Sequence, residues 1–373
     1  MSTELRPSPS PGQQIQAHLD LQNWNQYDLA EILGVNQSVV SALINGKRPV
    51  TLEIDKALTA AFGTPLGYWL KLETEFSLFT ADRSIGDPAQ EEVVRRAQLY
   101  KRAPVREMQR RGWIRASRNA DELEAELNAF FSSSLCVSTR RSTLETELTG
   151  LQAAWCHRAR QMAAALQVAS YDPSRCGAAE EDLRRLAAYP KEAKRLSKVL
   201  GAYGIRFVIV EPLTGAKIDG AAFWLDESRP VIAVSARFDR IDAFWFTVMH
   251  EFSHIKHGDS LSVDTEIVSE TGTGVHSDNE HETRANREAA EVLIPAAELD
   301  SFVRRLGPLY SKERIVQFAH RVKMHPGIIV GQLQHRGEIG YSAHRDLLAK
   351  VRAIVTETSL TDGWGRTISP GIL

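Results

Sequence analysis

Met249-His250-Glu251-Phe252-Ser253-His254-Ile255-Lys256-His257 places two histidines four residues apart, with a glutamate directly after the first. At about 3.6 residues per helical turn, His250 and His254 project from one face and can share a metal ion, with Glu251 beside the remaining coordination position. His-Glu-x-x-His fixes only three residues and arises by chance in about one unrelated chain of this size in fifty to a hundred. The setting therefore matters more than the motif. Ile241 to Lys256 contains neither Gly nor Pro, and Phe244-Trp245-Phe246, Val248-Met249, Phe252 and Ile255 supply the apolar side chains of a buried helix. Burying two imidazoles and a carboxylate is costly unless something compensates them.

Catalytic zinc takes three protein ligands and keeps one position for water, so a third ligand must come from elsewhere. His257 lies seven residues from His250, about 10 Å along a straight helix, too far to join the same ion. The metzincin arrangement needs Gly three residues after the second histidine, where this chain has His257 followed by Gly258. Ser277 to Ala290 opens with cap-forming residues and reads as a helix running toward Pro295. It offers Glu282, His281 and Glu280, in that order, because Glu282 shares a helix face with Asn286, Ala289 and Leu293.

Taken together, these residues resemble the ImmA/IrrE-like zinc metallopeptidases. The resemblance runs through His250, Glu251 and His254, then Glu282, Ala285, Asn286, Ala289 and Pro295. Gly327-Ile328-Ile329-Val330-Gly331 and Leu333-Gln334-His335 are similar to the family's closing helix. Glu288 departs from the pattern, standing where an aromatic residue is usual, and leaves the local packing open. The resemblance implies Zn2+ held by His250, His254 and Glu282. It also implies Glu251 as general base in peptide hydrolysis, and a protein substrate that is a transcriptional repressor or related regulator.

A second pattern lies near the other end. Gln26 to Leu33 reads as a short amphipathic helix, Gly34-Val35 as a tight break, and Gln37 to Ile44 as a second helix with Val39, Val40, Leu43 and Ile44 turned inward. That is a helix-turn-helix layout. Trp24 to Val35, with Ser41 and Asn45-Gly46-Lys47-Arg48, resembles the Cro/repressor class, in particular HigA-type antitoxins. In such a module Asn36, Gln37, Ser38 and Ser41 are expected to face base edges of a double-stranded DNA operator. Gln26, Asn45, Lys47 and Arg48 are expected to hold phosphates. A homodimer matching two half-sites is expected on the same ground.

The full chain has 373 residues and a formal net charge of −2, so charge alone names no partner. Acidic residues outnumber basic ones between Glu4 and Glu75, which leaves the DNA module with weak non-specific attraction. Arg95, Arg96, Lys101, Arg102, Arg106, Arg110, Arg111, Arg115 and Arg118 could supply it, or could be a solvated helical face. Cys136, Cys156 and Cys176 are odd in number and lack metal or redox spacing, so they read as reduced thiols. No apolar run approaches the about 20 residues of a membrane span, and the start is not a signal peptide; a cytoplasmic location is expected, without membrane contact.

The expected fold is mainly α with a small α+β part. Residues 1–10 read as a disordered tail, 11–76 as the helix-turn-helix domain and 77–200 as a helical connecting region that spaces the two ends. Residues 201–345 read as a zincin-like peptidase domain with a small β-sheet, and 346–373 as a helix and tail. Strands are expected at Ile205 to Glu211, Gly220 to Leu225 and Val231 to Val234, with Gly258 to His276 as a lid-like loop. Two function classes follow: a regulator carrying a zinc endopeptidase, or a transcription factor whose zinc domain senses a ligand or partner without efficient proteolysis.

Overall fold

The computed structural model describes residues 9–82, 88–132, 148–259, 262–265, 280–364 and 366–367. The chain divides into two compact units, Met1–Val94 and Arg95–Leu373.

In the first unit five helices follow in order: α1 (Pro11–Gln22), α2 (Gln26–Leu33), α3 (Gln37–Ile44), α4 (Leu52–Phe62) and α5 (Tyr68–Asp82). Local chemistry sets their ends. Asn25 Oδ1 accepts from the N–H groups of Tyr27 and Asp28, and Asp28 Oδ2 accepts in return from Asn25 N–H, a reciprocal cap that starts α2. Gly34, at φ 66°, ends it in the left-handed conformation that favours glycine. Ile15, Leu19, Leu29, Val40, Leu43, Leu58 and Trp69 form the core. Gly12 is needed where α1 meets the end of α3, since a Cβ there would lie 2.0 Å from the Ile44 carbonyl oxygen. Asp55 is fully buried and accepts from the N–H groups of Gly67, Trp69 and Leu70, which docks the start of α5 on α4.

The second unit is built on a six-stranded sheet of order β4-β2-β3-β1-β5-β6. Its strands are β1 (Arg206–Val210), β2 (Ile218–Trp224), β3 (Pro230–Val234), β4 (Ser262–Thr265), β5 (Leu360–Gly363) and β6 (Arg366–Thr367). β1 runs parallel to β3 and β5, whereas β2 is antiparallel to β3 and β4. β1 is buried along its whole length because helices cover both faces of the sheet. Phe207 and Ile209 turn to one core, Val208 and Val210 to the other.

The helices of this part are α6 (Pro88–Arg102), α7 (Val105–Arg110), α8 (Ala120–Ser132), α9 (Gly150–Ala164), α10 (Cys176–Ala187) and α11 (Leu196–Ala202). They are followed by α12 (Ile241–His257), α13 (Glu280–Leu293), α14 (Ala296–Leu306), α15 (Lys312–Val322), α16 (Pro326–His335) and α17 (Arg352–Thr356). The mainly helical architecture with a small sheet agrees with the expectation.

Several details differ from it. The segment expected to act as a spacer instead covers one face of the sheet: Met108, Trp113, Leu123, Leu127, Trp155 and Ala159 share a core with Val208, Val210 and Val231. Trp155 Nε1 donates to the Val210 carbonyl at 2.9 Å. Its amphipathic helices needed a partner, and the sheet provides one. Between α10 and α11, Pro190 interrupts the helical connecting region and opens a 3-10 turn over Pro190–Arg195. The expected C-terminal tail contributes β5, whose backbone pairs with β1 although its sequence, Leu-Thr-Asp-Gly, carries little strand signal. Within the expected lid, Ser262–Thr265 forms β4; residues 260–261 and 266–279 lie outside the described residues.

Candidate metal centre and nucleic-acid interface

Helix α12 runs through the core with every residue from Ile241 to Ile255 buried except Phe246. Such burial follows from its sequence, which is apolar on nearly all sides. Its C-terminal turn then builds part of the site. Gly258 takes φ 67°, the Asp259 N–H donates to the His254 carbonyl at 3.0 Å, and the chain turns back so that Asp259 faces the helix it has just left. Asp259 Oδ2 lies 2.9 Å from His254 Nδ1.

Helix α13 packs on α12 through Ala285 and Ala289, both buried. Small side chains let the two helices approach closely. Asn286, one turn after Glu282, places Oδ1 3.0 Å from His250 Nδ1. Carboxylate and amide oxygens accept hydrogen bonds, so both histidines carry hydrogen on Nδ1 and direct the Nε2 lone pair the other way.

Those two Nε2 atoms lie 3.0 Å apart. Glu282 completes the triangle, with Oε2 3.1 Å from His250 Nε2 and Oε1 3.6 Å from His254 Nε2. Among the described residues, His250, His254 and Glu282 are the group able to hold a metal ion. Three electron-pair donors pointed at one another repel unless a cation lies between them. Zinc bonds of about 2.0–2.1 Å in tetrahedral geometry separate ligand atoms by roughly 3.3 Å, and the three distances bracket that value. The donor set and its spacing fit zinc.

Glu251 is fully buried and lies against β2. A Cβ on Gly220 would stand 2.2 Å from Glu251 Oε1 and 2.8 Å from Thr247 Cγ2, so only glycine fits between strand and carboxylate. The other candidate ligands are engaged elsewhere. His281 Nδ1 is 2.9 Å from Asp259 Oδ1, Glu280 is exposed, and His257 Nε2 is 2.9 Å from Glu288 Oε1. Asp259 also accepts from Arg284. Burial pushes its carboxyl up, but the bonds from His254 and Arg284 outweigh it and hold the group below its ordinary range.

Glu288, the departure from the family pattern, takes a polar role. It accepts from Ser253 Oγ at 3.0 Å and pairs with His257, while Lys256 bridges toward it and holds Glu180 at 2.7 Å. Burial raises the Glu288 carboxyl, yet these hydrogen bonds and charges leave it below its ordinary value. Sequence reasoning gave no role to Gly220 or Asp259, and placed Asn286 in the family pattern and on the Glu282 helix face without assigning it the bond to His250. Asp259 had one legible signal, its place just after a helix-ending glycine.

In the first unit, Asn36 caps α3 without using its side chain, and Asn36 and Ser38 are exposed. Gln37 is partly buried, its Nε2 donating to Gln26 Oε1 at 3.1 Å, which links the first residues of α2 and α3. Asn45 Nδ2 donates to the Ser41 carbonyl at 2.8 Å, and Ser41 is half-buried. Lys47 and Arg48 are exposed. The eight expected DNA-facing residues thus cluster around α3. Most of the basic cluster makes internal contacts: Arg95 to Asp121 and Glu124, Arg96 to the Arg118 carbonyl, Arg102 to Asn128, Arg110 to Glu107, Arg111 to Glu107 and two carbonyls after β1, Arg115 to Glu126. That pattern belongs to a structural face.

Comparison with known proteins bears on both ends. A family model described as IrrE N-terminal-like domain (Peptidase_M78) matches residues 202–336, and one described as Helix-turn-helix matches residues 15–69. Escherichia coli YbaQ, an uncharacterized HTH-type transcriptional regulator, is 36% identical over 58 residues, covering 16% of this chain and 51% of YbaQ. The chain therefore spans about half the length of that relative. Escherichia coli YddM, another uncharacterized HTH-type transcriptional regulator, is 31% identical over 77 residues, covering 21% of this chain and 82% of YddM. A solved structure of a candidate antidote protein of a plasmid maintenance system from Nostoc punctiforme is 31% identical, with a TM-score of 0.22, covering 23% of this chain and 94% of that one. No helix among the described residues is long and apolar enough to cross a membrane. The chain belongs, through its N-terminal unit, to the XRE-type HTH transcriptional regulators and carries behind that domain an IrrE N-terminal-like domain of the Peptidase_M78 family.

Proposed function

We propose that the chain is a DNA-binding transcriptional regulator whose C-terminal domain is a zinc-dependent endopeptidase acting in the cytoplasm on a repressor or related regulator. The observation that carries this reading is the triangle of His250 Nε2, His254 Nε2 and the Glu282 carboxylate, with Glu251 on the same buried helix. When bound, zinc supplies Lewis-acid polarisation of a peptide carbonyl and makes water acidic enough to lose a proton near neutral pH. Glu251 accepts that proton on its carboxylate and returns it to the departing amine, while Gly220 gives the carboxylate its room. Asn286 and Asp259 fix the ring orientation of the two histidines. β4, at one edge of the sheet among the described strands, offers backbone groups to an extended polypeptide.

On DNA, Asn36, Gln37, Ser38 and Ser41 read base edges, with Gln26 bracing Gln37. Gln26, Asn45, Lys47 and Arg48 hold phosphates, and two copies of the chain occupy two half-sites. The test is incubation of zinc-loaded protein with a repressor-class regulator encoded beside it. The regulator is cut by wild type and left intact by Glu251→Gln, which still binds its operator. Operator binding without cleavage by either protein would instead make the zinc domain a sensor.

A further inference from the structure

We propose that Phe246 and His335 form an aromatic shelf beside the His250–His254–Glu282 centre, selecting polypeptides with a large apolar or aromatic side chain next to the cleaved bond. The proposal rests on the endopeptidase reading and names a substrate class for it. Phe246 is the one residue between Ile241 and Ile255 that keeps solvent access. It stands four residues before His250 and eight before His254, so its ring opens on the face of α12 that carries both imidazoles. Phe246 is half-buried: it packs against the main core and still keeps part of its surface open to solvent.

The ring has aromatic neighbours on two sides. Its centroid is 6.4 Å from that of His250, at an interplanar angle of 38°, and 6.5 Å from that of His335, at 35°. His335 is exposed at the end of α16. That helix is firmly held: Gln332 Nε2 donates to the Ala290 carbonyl of α13 at 3.0 Å, and Gln334 accepts from Arg240 at the start of α12. The shelf is thus part of the same packed helices that present the ligands, and it does not depend on a loop. Two tilted aromatic rings, one half-buried and one exposed, favour contact with a planar or bulky apolar group.

Two metal-directed probes separate the shelf from the metal centre: acetohydroxamate, which has no side chain, and 3-phenylpropanohydroxamate, which carries a benzyl group. Titration calorimetry on the zinc-loaded full chain is expected to show the phenyl compound binding about tenfold tighter or more. The affinity ratio between the two probes should fall toward one in Phe246→Ala and fall partway in His335→Ala. Phe246→Leu, which keeps most of the packing volume, should give an intermediate ratio and carries the test should the alanine variant not fold. A wild-type ratio near one, or a ratio that Phe246→Leu and His335→Ala leave unmoved, overturns the shelf while the metal centre stands. Failure of both probes to bind overturns the metal centre and the shelf with it.

Discussion

Single atoms decide whether the candidate site can work, and Gly220 is the clearest case. Its missing Cβ is the space that Glu251 Oε1 occupies. Gly220→Ala is expected to displace the carboxylate, to cost about 1–3 kcal/mol of stability by overpacking, and to lower peptide hydrolysis by about 100-fold while zinc content is retained. Kinetics beside metal analysis check this, and full activity in the variant would contradict it. Glu288 gives a pH signature. Its carboxyl sits below the ordinary 4.5 in the folded chain, so the stability it contributes is present above about that pH and is lost as pH falls through the depressed value. Thermal melts across the acid range should therefore fall less steeply in Glu288→Gln than in wild type; parallel curves would contradict the assignment. His250, Glu251 and His254 stood out in the sequence because helical periodicity links residues four apart, whereas Glu282 was singled out by its helix face and by the family resemblance. Gly220 was not, because its role depends on a strand and a helix meeting across the fold, which no local pattern encodes.

At the scale of elements, the sequence was informative where chemistry is local. Caps at Asn25 and the glycine at Gly34 delimit α2, and the buried positions of α3 follow its apolar spacing. Pro190 shows the limit, since a proline signals an interruption of a helix but not the 3-10 turn over Pro190–Arg195 that separates α10 from α11. β5 is harder still: one apolar residue, Leu360, begins it, and pairing with β1 alone makes it a strand. Asp55 illustrates how an element is docked by charge. Its buried carboxylate accepts three backbone N–H groups at the start of α5. Hydrogen bonds to an ionised group are worth about 1.5–3 kcal/mol each, and truncation leaves these donors unpaired. Asp55→Ala is accordingly expected to destabilise the N-terminal unit by about 2–4 kcal/mol, read by denaturant unfolding of the full chain as an earlier transition of that unit alone. A single unshifted transition would contradict it.

Over the whole molecule, two units with separate cores carry a helix-turn-helix domain and an IrrE N-terminal-like domain, and nothing in the charge of the chain announces either. The arginines after the first unit read in sequence either as a reserve of DNA affinity or as a solvated helical face. In the fold they bind the acidic residues of α8 and the carbonyls that follow β1, a pairing that composition cannot distinguish from a free basic face. The proposed function requires that His250, His254 and Glu282 hold one zinc ion and that Glu251 stay outside the ligand set. Metal analysis of purified native protein decides this. One zinc per chain is expected in wild type and in Glu251→Gln, and substantially less in His254→Ala and Glu282→Ala. Native protein without stoichiometric zinc, or His254→Ala holding as much zinc as wild type, would overturn the metal centre.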